Sequence, residues 1–353
     1  MKNWMLLVIS ILITLLSCEI AVRLMIDAWP FEDALYVPNH LTERDRTLLW
    51  RPSPSKGRND LGLRNREVLP KKDGIYRILF LGDSLVWSGE TSSGKLYTEV
   101  IEHRLNTYSK DRSRSYEVIN AGIPGYTTYQ ELEFLKIYGL DMKPDLVILG
   151  FVFNDLYYKY LHRPTKDKIL DIEPTKHLNH FYANTFPINM FTRSYLAHTV
   201  VWKGEILFKQ AIQKPVFPFE RRGDFYLAWK DYGWIHIREL IGKMQKLLSD
   251  KGVSFLVVVF PLSDQVNELY RSVHSQYVLY PQSMIRNICA DYEIPLVDLT
   301  DSLYMNGGII LYQDYLHLNV KGNDVVADEI EEYLIDEIGL TELDIEVHSP
   351  TNR

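Results

Sequence analysis

The 353-residue chain is poor in cysteine, and the little it has excludes several kinds of site. Its two cysteines, Cys18 and Cys289, fall in an N-terminal apolar run and in a late helical pattern. That spacing suits neither a disulfide framework nor a metal-ligand array, and there is no Cys-x-x-Cys or His-Glu-x-x-His stretch. Positive charge is also in deficit. There are 39 Lys and Arg against 46 Asp and Glu, a net charge of −7, which argues against a nucleic-acid partner. No internal repeat or low-complexity tract is present, so neither a repeat array nor a long disordered region is expected away from the ends. What remains is ordinary for a globular protein: 46% hydrophobic and 24% charged residues. The 23 Tyr, 14 Phe and 7 Trp stand out, with many of them between Asn154 and Trp234.

One long apolar run opens the chain. Trp4 to Cys18 carries no charge, and the pattern continues past Glu19 as IAVRLMI. The uncharged run alone suits a signal segment and falls short of the roughly 20 residues a membrane span needs. Glu19 and Arg23 stand four apart, where they can pair on a helix, and Trp29 suits a headgroup position. Three readings are open. An uncleaved single-pass anchor is preferred because no Ala-x-Ala site follows. A lipoprotein lipidated at Cys18 comes second, since Leu15-Leu16-Ser17-Cys18 resembles a lipidation box. A cleaved signal is third. Each places the remainder outside the cytoplasm.

Downstream, short apolar runs alternate with helical patterns. Strands are expected at Arg77–Leu81, Glu117–Asn120, Asp145–Phe151, Val253–Phe260 and Leu296–Leu299. Helices are expected at Gly94–Tyr108, Thr127–Tyr138, Trp234–Leu248, Gln282–Tyr292 and Lys321–Ile338. This alternation implies a parallel sheet wrapped by helices. The expected division is an anchor over 1–28, a connector over 29–74, a domain over 75–340 with an insert at about 156–232, and a tail over 341–353. The insert reads as extra core with some lid character, with Phe217, Phe219, Phe225, Tyr226 and Trp229 as lid candidates.

In open parallel sheets functional groups gather beyond the carboxyl ends of the strands. Here those ends carry Gly82-Asp83-Ser84-Leu85, Asn120 to Gly125, and Gly150 to Asp155, and Asp314-Tyr315-Leu316-His317 follows the fifth strand. A serine hydroxyl needs a base, and the base an orienting acceptor. His317 suits removal of the Ser84 proton, and Asp314 is placed to fix its tautomer. The backbone N–H groups of Ser84 and Gly125 and the side-chain amide of Asn154 suit an oxyanion. Asp83 reads as a turn-stabilising carboxylate, and Asp155 as a cap or a brace for the site's loops. No metal or cofactor is required.

These four blocks resemble the SGNH/GDSL hydrolases, over about Ile75 to Glu337. GDSL corresponds to Gly82–Leu85, with Ser84 as the serine. INAGIPGYTT supplies the glycine, Gly125, with Gly122 in reserve. Asn154-Asp155 supplies the asparagine, and Asp314 with His317 forms DxxH. The resemblance implies a three-layer, flavodoxin-like sandwich with five parallel strands. It also implies action on acyl esters, with an acylated small molecule, lipid or glycan as substrate. Asn59-x-x-Gly62-x-Arg64, with the anchor, resembles the start of membrane-bound bacterial members. The insert departs from the simpler members. Three functions are carried forward: an esterase, preferably on O-acetyl groups of an envelope or secreted polysaccharide; an O-acyltransferase using the same residues; and a non-catalytic glycan-binding or assembly protein.

Overall fold

A computed structural model of the protein describes residues 2–25, 42–45, 47–55, 57–88, 94–108, 114–156, 196 and 225–336. Trp29, Phe217, Phe219, most of the insert and the tail lie outside the described residues.

Helix α1, Lys2–Met25, runs unbroken through Glu19 and Arg23. Its segment Trp4–Val22 has a mean hydropathy of 2.5, and none of it is buried. At ~1.5 Å per residue, these 19 residues match the hydrocarbon thickness of a bilayer. The helix continues past Glu19 without a break, so the apolar span is longer than the uncharged run alone. Such a helix fits a membrane anchor or a signal sequence.

Five strands build the main sheet: β1 Ile75–Gly82, β2 Ser115–Gly122, β3 Leu146–Phe151, β4 Ser254–Val259 and β5 Leu296–Asp298. All pair in parallel, in the order β2-β1-β3-β4-β5. This is the flavodoxin-like α/β arrangement that the resemblance implies. Every residue of β3 is buried, as is β4 after its first residue, so both faces of the sheet are covered. Helices α3 (Tyr97–Tyr108) and α9 (Val320–Asp336) pack on each other, and α5 (Trp234–Ser249) packs on both α4 (Thr128–Phe134) and α7 (Tyr280–Asp291).

Besides a single helical turn at Ser84–Trp87, two helices were not expected. In α6, Glu268–Val278, only Val278 is buried, which leaves little apolar periodicity to read; Asn267 caps it by accepting from Leu269 N–H at 3.0 Å. Helix α8, Thr300–Met305, is only six residues long. Helix α4 passes into a π-turn over Leu135–Gly139. At the amino end of the sheet, buried Arg77 donates to Glu117 at 2.6 Å, to the Leu69 carbonyl at 2.8 Å and to the Met142 carbonyl. The chain preceding β1 is thereby tied to the sheet. Cys18 and Cys289 are both free. Burial pushes the Cys289 thiol up to about 12, which makes it inert as a nucleophile.

Candidate active site

Strand order reverses at β1, whose neighbours β2 and β3 lie on opposite sides, and the crevice at such a point favours a site. Glycines occupy the carboxyl end of all three strands in one row, since Gly82 pairs with both Gly122 and Gly150. A methyl group at Gly82 or Gly150 would strike Val86 Cγ2, and one at Gly122 would strike the Trp87 backbone nitrogen. The row therefore makes room for the single-turn helix α2, Ser84–Trp87, to lie across the sheet's end. Asp83 caps that turn by accepting from Leu85 N–H at 2.9 Å, which leaves Ser84 at its mouth.

The loop carrying the expected base is closed by an antiparallel bridge between Tyr312 and Leu318. Within it, Gln313 N–H donates to the His317 carbonyl at 2.8 Å. Asp314 Oδ1 accepts from the backbone N–H groups of Leu316 and His317, both at 2.7 Å. This local turn explains the three-residue spacing of DxxH. It leaves Asp314 Oδ2 2.7 Å from His317 Nδ1, while His317 Nε2 stands 2.9 Å from Ser84 Oγ. An ionised carboxylate only accepts, so Nδ1 carries the ring proton and Nε2 faces the hydroxyl as acceptor. Burial alone would raise Asp314. The hydrogen bonds from the His317 ring and from the two backbone N–H groups outweigh it and hold this carboxyl below its usual range. Phe225 meets Tyr315 of the same loop edge-to-face at 5.8 Å. Phe225 is 1% exposed and Trp229 6%, so these two lid candidates are core residues.

The acceptor side of the cleft comes from the β2 and β3 ends. Ile123-Pro124-Gly125-Tyr126 closes by Tyr126 N–H donating to the Ile123 carbonyl at 3.0 Å, with Gly125 at φ +79°. Proline then glycine at positive φ is the chemistry of a type II turn. Gly122 N–H is already bonded to Asn120 Oδ1 at 3.0 Å. Asn154, on the 3₁₀ turn Phe153–Leu156, donates one amide hydrogen to Asp83 Oδ2 at 2.9 Å, and its second remains. Asp83 thus links the Ser84 turn to Asn154. A cleft of about 470 Å³ opens over Ser84 and His317, lined also by Trp87, Pro124, Gln313 and Asn323.

Beneath this lies a buried carboxyl cluster that the sequence did not announce. Asp83, Asp155 and Glu131 are all buried. Thr128 Oγ1–H donates to Asp155 Oδ2 at 3.0 Å, but Asp155 Oδ1 and both Glu131 oxygens find no hydrogen-bond partner. Burial raises Asp83, partly offset by its hydrogen bonds and by His317. Burial, then the charges of Asp155 and Asp83, push Glu131 well above the carboxylate range; burial and Asp83 do the same to Asp155. The only sequence signal for Glu131 is its position three residues after Thr128 on one face of α4.

This predicts a pH effect. A native state that keeps protons the unfolded chain sheds above about pH 4 loses stability as pH rises from there. Glu131→Gln keeps the shape and cannot ionise. Its melting temperature is expected to exceed wild type by about 2–4 °C at pH 8, roughly 1 kcal/mol, with a flatter decline between pH 5 and 8. A lower melting temperature at pH 8 would show that Glu131 is held as an anion.

The sequence profile of the GDSL-like Lipase/Acylhydrolase family matches residues 80–325. No curated protein sequence matches. Among solved structures, the chain is similar to an acetyl xylan esterase at 17% identity, covering 73% of this chain and 100% of that one, with a TM-score of 0.42. A lipase/acylhydrolase from Enterococcus faecalis gives 15% identity over 73% of this chain and 95% of that one, with a TM-score of 0.40. A two-domain esterase active on acetylated mannans gives 18% identity, 79% of this chain, 53% of that one and a TM-score of 0.42.

Proposed function

The chain belongs to the GDSL-like lipase/acylhydrolase family, and on that premise we propose that it is a membrane-anchored serine esterase that removes small acyl groups, O-acetyl foremost, from a glycan outside the cytoplasm. The observation that carries this reading is the unbroken contact series from Asp314 through His317 to Ser84, at 2.7 and 2.9 Å.

In this reading Ser84 Oγ attacks the ester carbonyl while His317 Nε2 takes its proton. Asp314 stabilises the imidazolium that forms. The Ser84 and Gly125 N–H groups and the free amide hydrogen of Asn154 meet the oxyanion. Collapse breaks the bond to the sugar oxygen, which receives the proton from His317 and leaves as the free hydroxyl. Water then repeats the sequence on the acyl-serine and releases the acid. The cleft supports a short acyl group on a polar carrier. Gln313 and Asn323 line it beside Ser84 and His317. Helix α1 serves as the anchor.

The test is acetate release by the full-length protein in detergent, from acetylated polysaccharide and from an aryl acetate. Release of free acetate supports the reading. Transfer of the acetyl group to an added glycan without free acetate would make the protein an acyltransferase. Neither product, with no fluorophosphonate reaction at Ser84, would overturn it. Asn154→Ala is expected to lower kcat by about 100- to 1000-fold with KM little changed, the usual cost of one oxyanion donor. An equal rise in KM at unchanged kcat would make Asn154 a ground-state binding residue instead.

A further inference from the structure

The nucleophile turn is too short to satisfy its own carbonyls, and a residue from a distant segment completes it. A single turn leaves its last carbonyl groups without helical partners. The Ser84 carbonyl keeps one, Ser88 N–H at 2.9 Å, and the four that follow are each met by a side chain. The Leu85 carbonyl accepts from Ser88 Oγ–H at 2.9 Å. The Val86 carbonyl accepts from Asn120 Nδ2 at 2.8 Å. The remaining two, Trp87 and Ser88, both accept from Arg64 Nη1, at 3.2 and 2.6 Å. Ser88 sits at φ +49°, in the left-handed region that disfavours a side chain, so the turn's end needs holding. Trp87 and Ser88 line the same cleft as Ser84 and His317.

Arg64 is aimed by a built loop. Buried Asn59 accepts at Oδ1 from Leu61 N–H at 3.1 Å and Leu63 N–H at 2.9 Å, and its own N–H donates to the Leu63 carbonyl at 3.0 Å. Gly62 has φ +75°, and a Cβ there would strike the Pro52 carbonyl. Leu63 is fully buried. Each fixed letter of Asn-x-x-Gly-x-Arg therefore has a physical task, and the last is the guanidinium under the nucleophile turn. Arg58 adds to it, its guanidinium 4.6 Å from the centre of the Trp87 ring.

We infer that Arg64 is a positioning residue for Ser84, clamping the carboxyl end of the nucleophile turn, and that Asn59–Arg64 is part of the catalytic machinery. This rests on the reading of Ser84 as nucleophile. A shift of the order of 1 Å in a reacting group costs about 100-fold in rate, and one turn is a short lever between Ser88 and Ser84.

The test compares full-length wild type, Arg64→Ala and Arg64→Leu in detergent, at a temperature where near-ultraviolet circular dichroism shows each folded. The readouts are the fluorophosphonate labelling rate, and kcat and KM on an aryl acetate. Both variants are expected to label about 10- to 100-fold more slowly, with kcat lowered and KM unchanged. Added methylguanidinium should restore part of the rate to Arg64→Ala. Wild-type labelling matched by the folded variants overturns the proposal alone. A wild type that neither labels nor turns over ester overturns the Ser84 reading and the proposal with it. If neither neutral variant folds, Arg64 has a folding role only and the proposal falls.

Discussion

Ser84→Ala is expected to abolish fluorophosphonate labelling and to lower ester hydrolysis by about 10⁴- to 10⁶-fold, with a melting temperature close to that of wild type. In the proposed mechanism, the substitution removes the atom that bonds the acyl carbon. The turn beneath it does not depend on that hydroxyl, because its hydrogen bonds run through the Ser84 carbonyl, the Asp83 carboxylate and the Ser88 side chain. His317 keeps its contact to Asp314, so the base loop is undisturbed. His317→Ala should cost nearly as much, since an unassisted serine is a poor nucleophile. The double variant should lose little beyond either single one, because the two side chains act as one unit. Additive losses, or a Ser84→Ala protein with undiminished turnover, would mean that the chemistry lies elsewhere.

The parts of this site that could be read from sequence are those whose geometry is local. Asp314 and His317 lie three residues apart because one carboxylate caps the turn that holds the ring, and both functions fit within one loop. Asp83 is legible for the same reason, as the cap of the turn it precedes. Strands β3 and β4 were legible because strands buried on both faces read as continuous apolar runs. What could not be read depends on register. Gly82, Gly122 and Gly150 form a row only once three strands pair in parallel. Asp83 meets Asn154 across 71 positions of chain, and Ser88 meets Asn323 across 235. Glu131 looks like any helix-surface glutamate until α4 packs its face inward beside Asp155. Phe225, read as a lid residue, lies instead against Tyr315, because the aromatic content of a segment does not say which way its rings point.

Gly122→Ala is expected to destabilise the fold by about 3 kcal/mol or more, the upper range for overpacking, and so to lower the melting temperature by roughly 6–12 °C. Gly122 is not among the glycines at positive φ, so alanine is tolerated by the backbone there. On conformational entropy alone the change would stabilise by about 0.4–1 kcal/mol. Space decides the sign. The new methyl would overlap the Trp87 backbone nitrogen, which no rotamer change can move aside. Relief requires lifting α2 off the sheet, which also displaces Ser84 from His317, so ester turnover should fall by about 100-fold in the fraction that folds. Gly150→Ala provides the internal comparison, because its nearest clash is with Val86 Cγ2, the end of a side chain. Adding Val86→Ala should therefore recover most of the activity of Gly150→Ala and little of that of Gly122→Ala. Equal recovery in both would show that the glycine row only admits Val86. Recovery confined to Gly150 would show that the row sets the height of the nucleophile turn above the sheet.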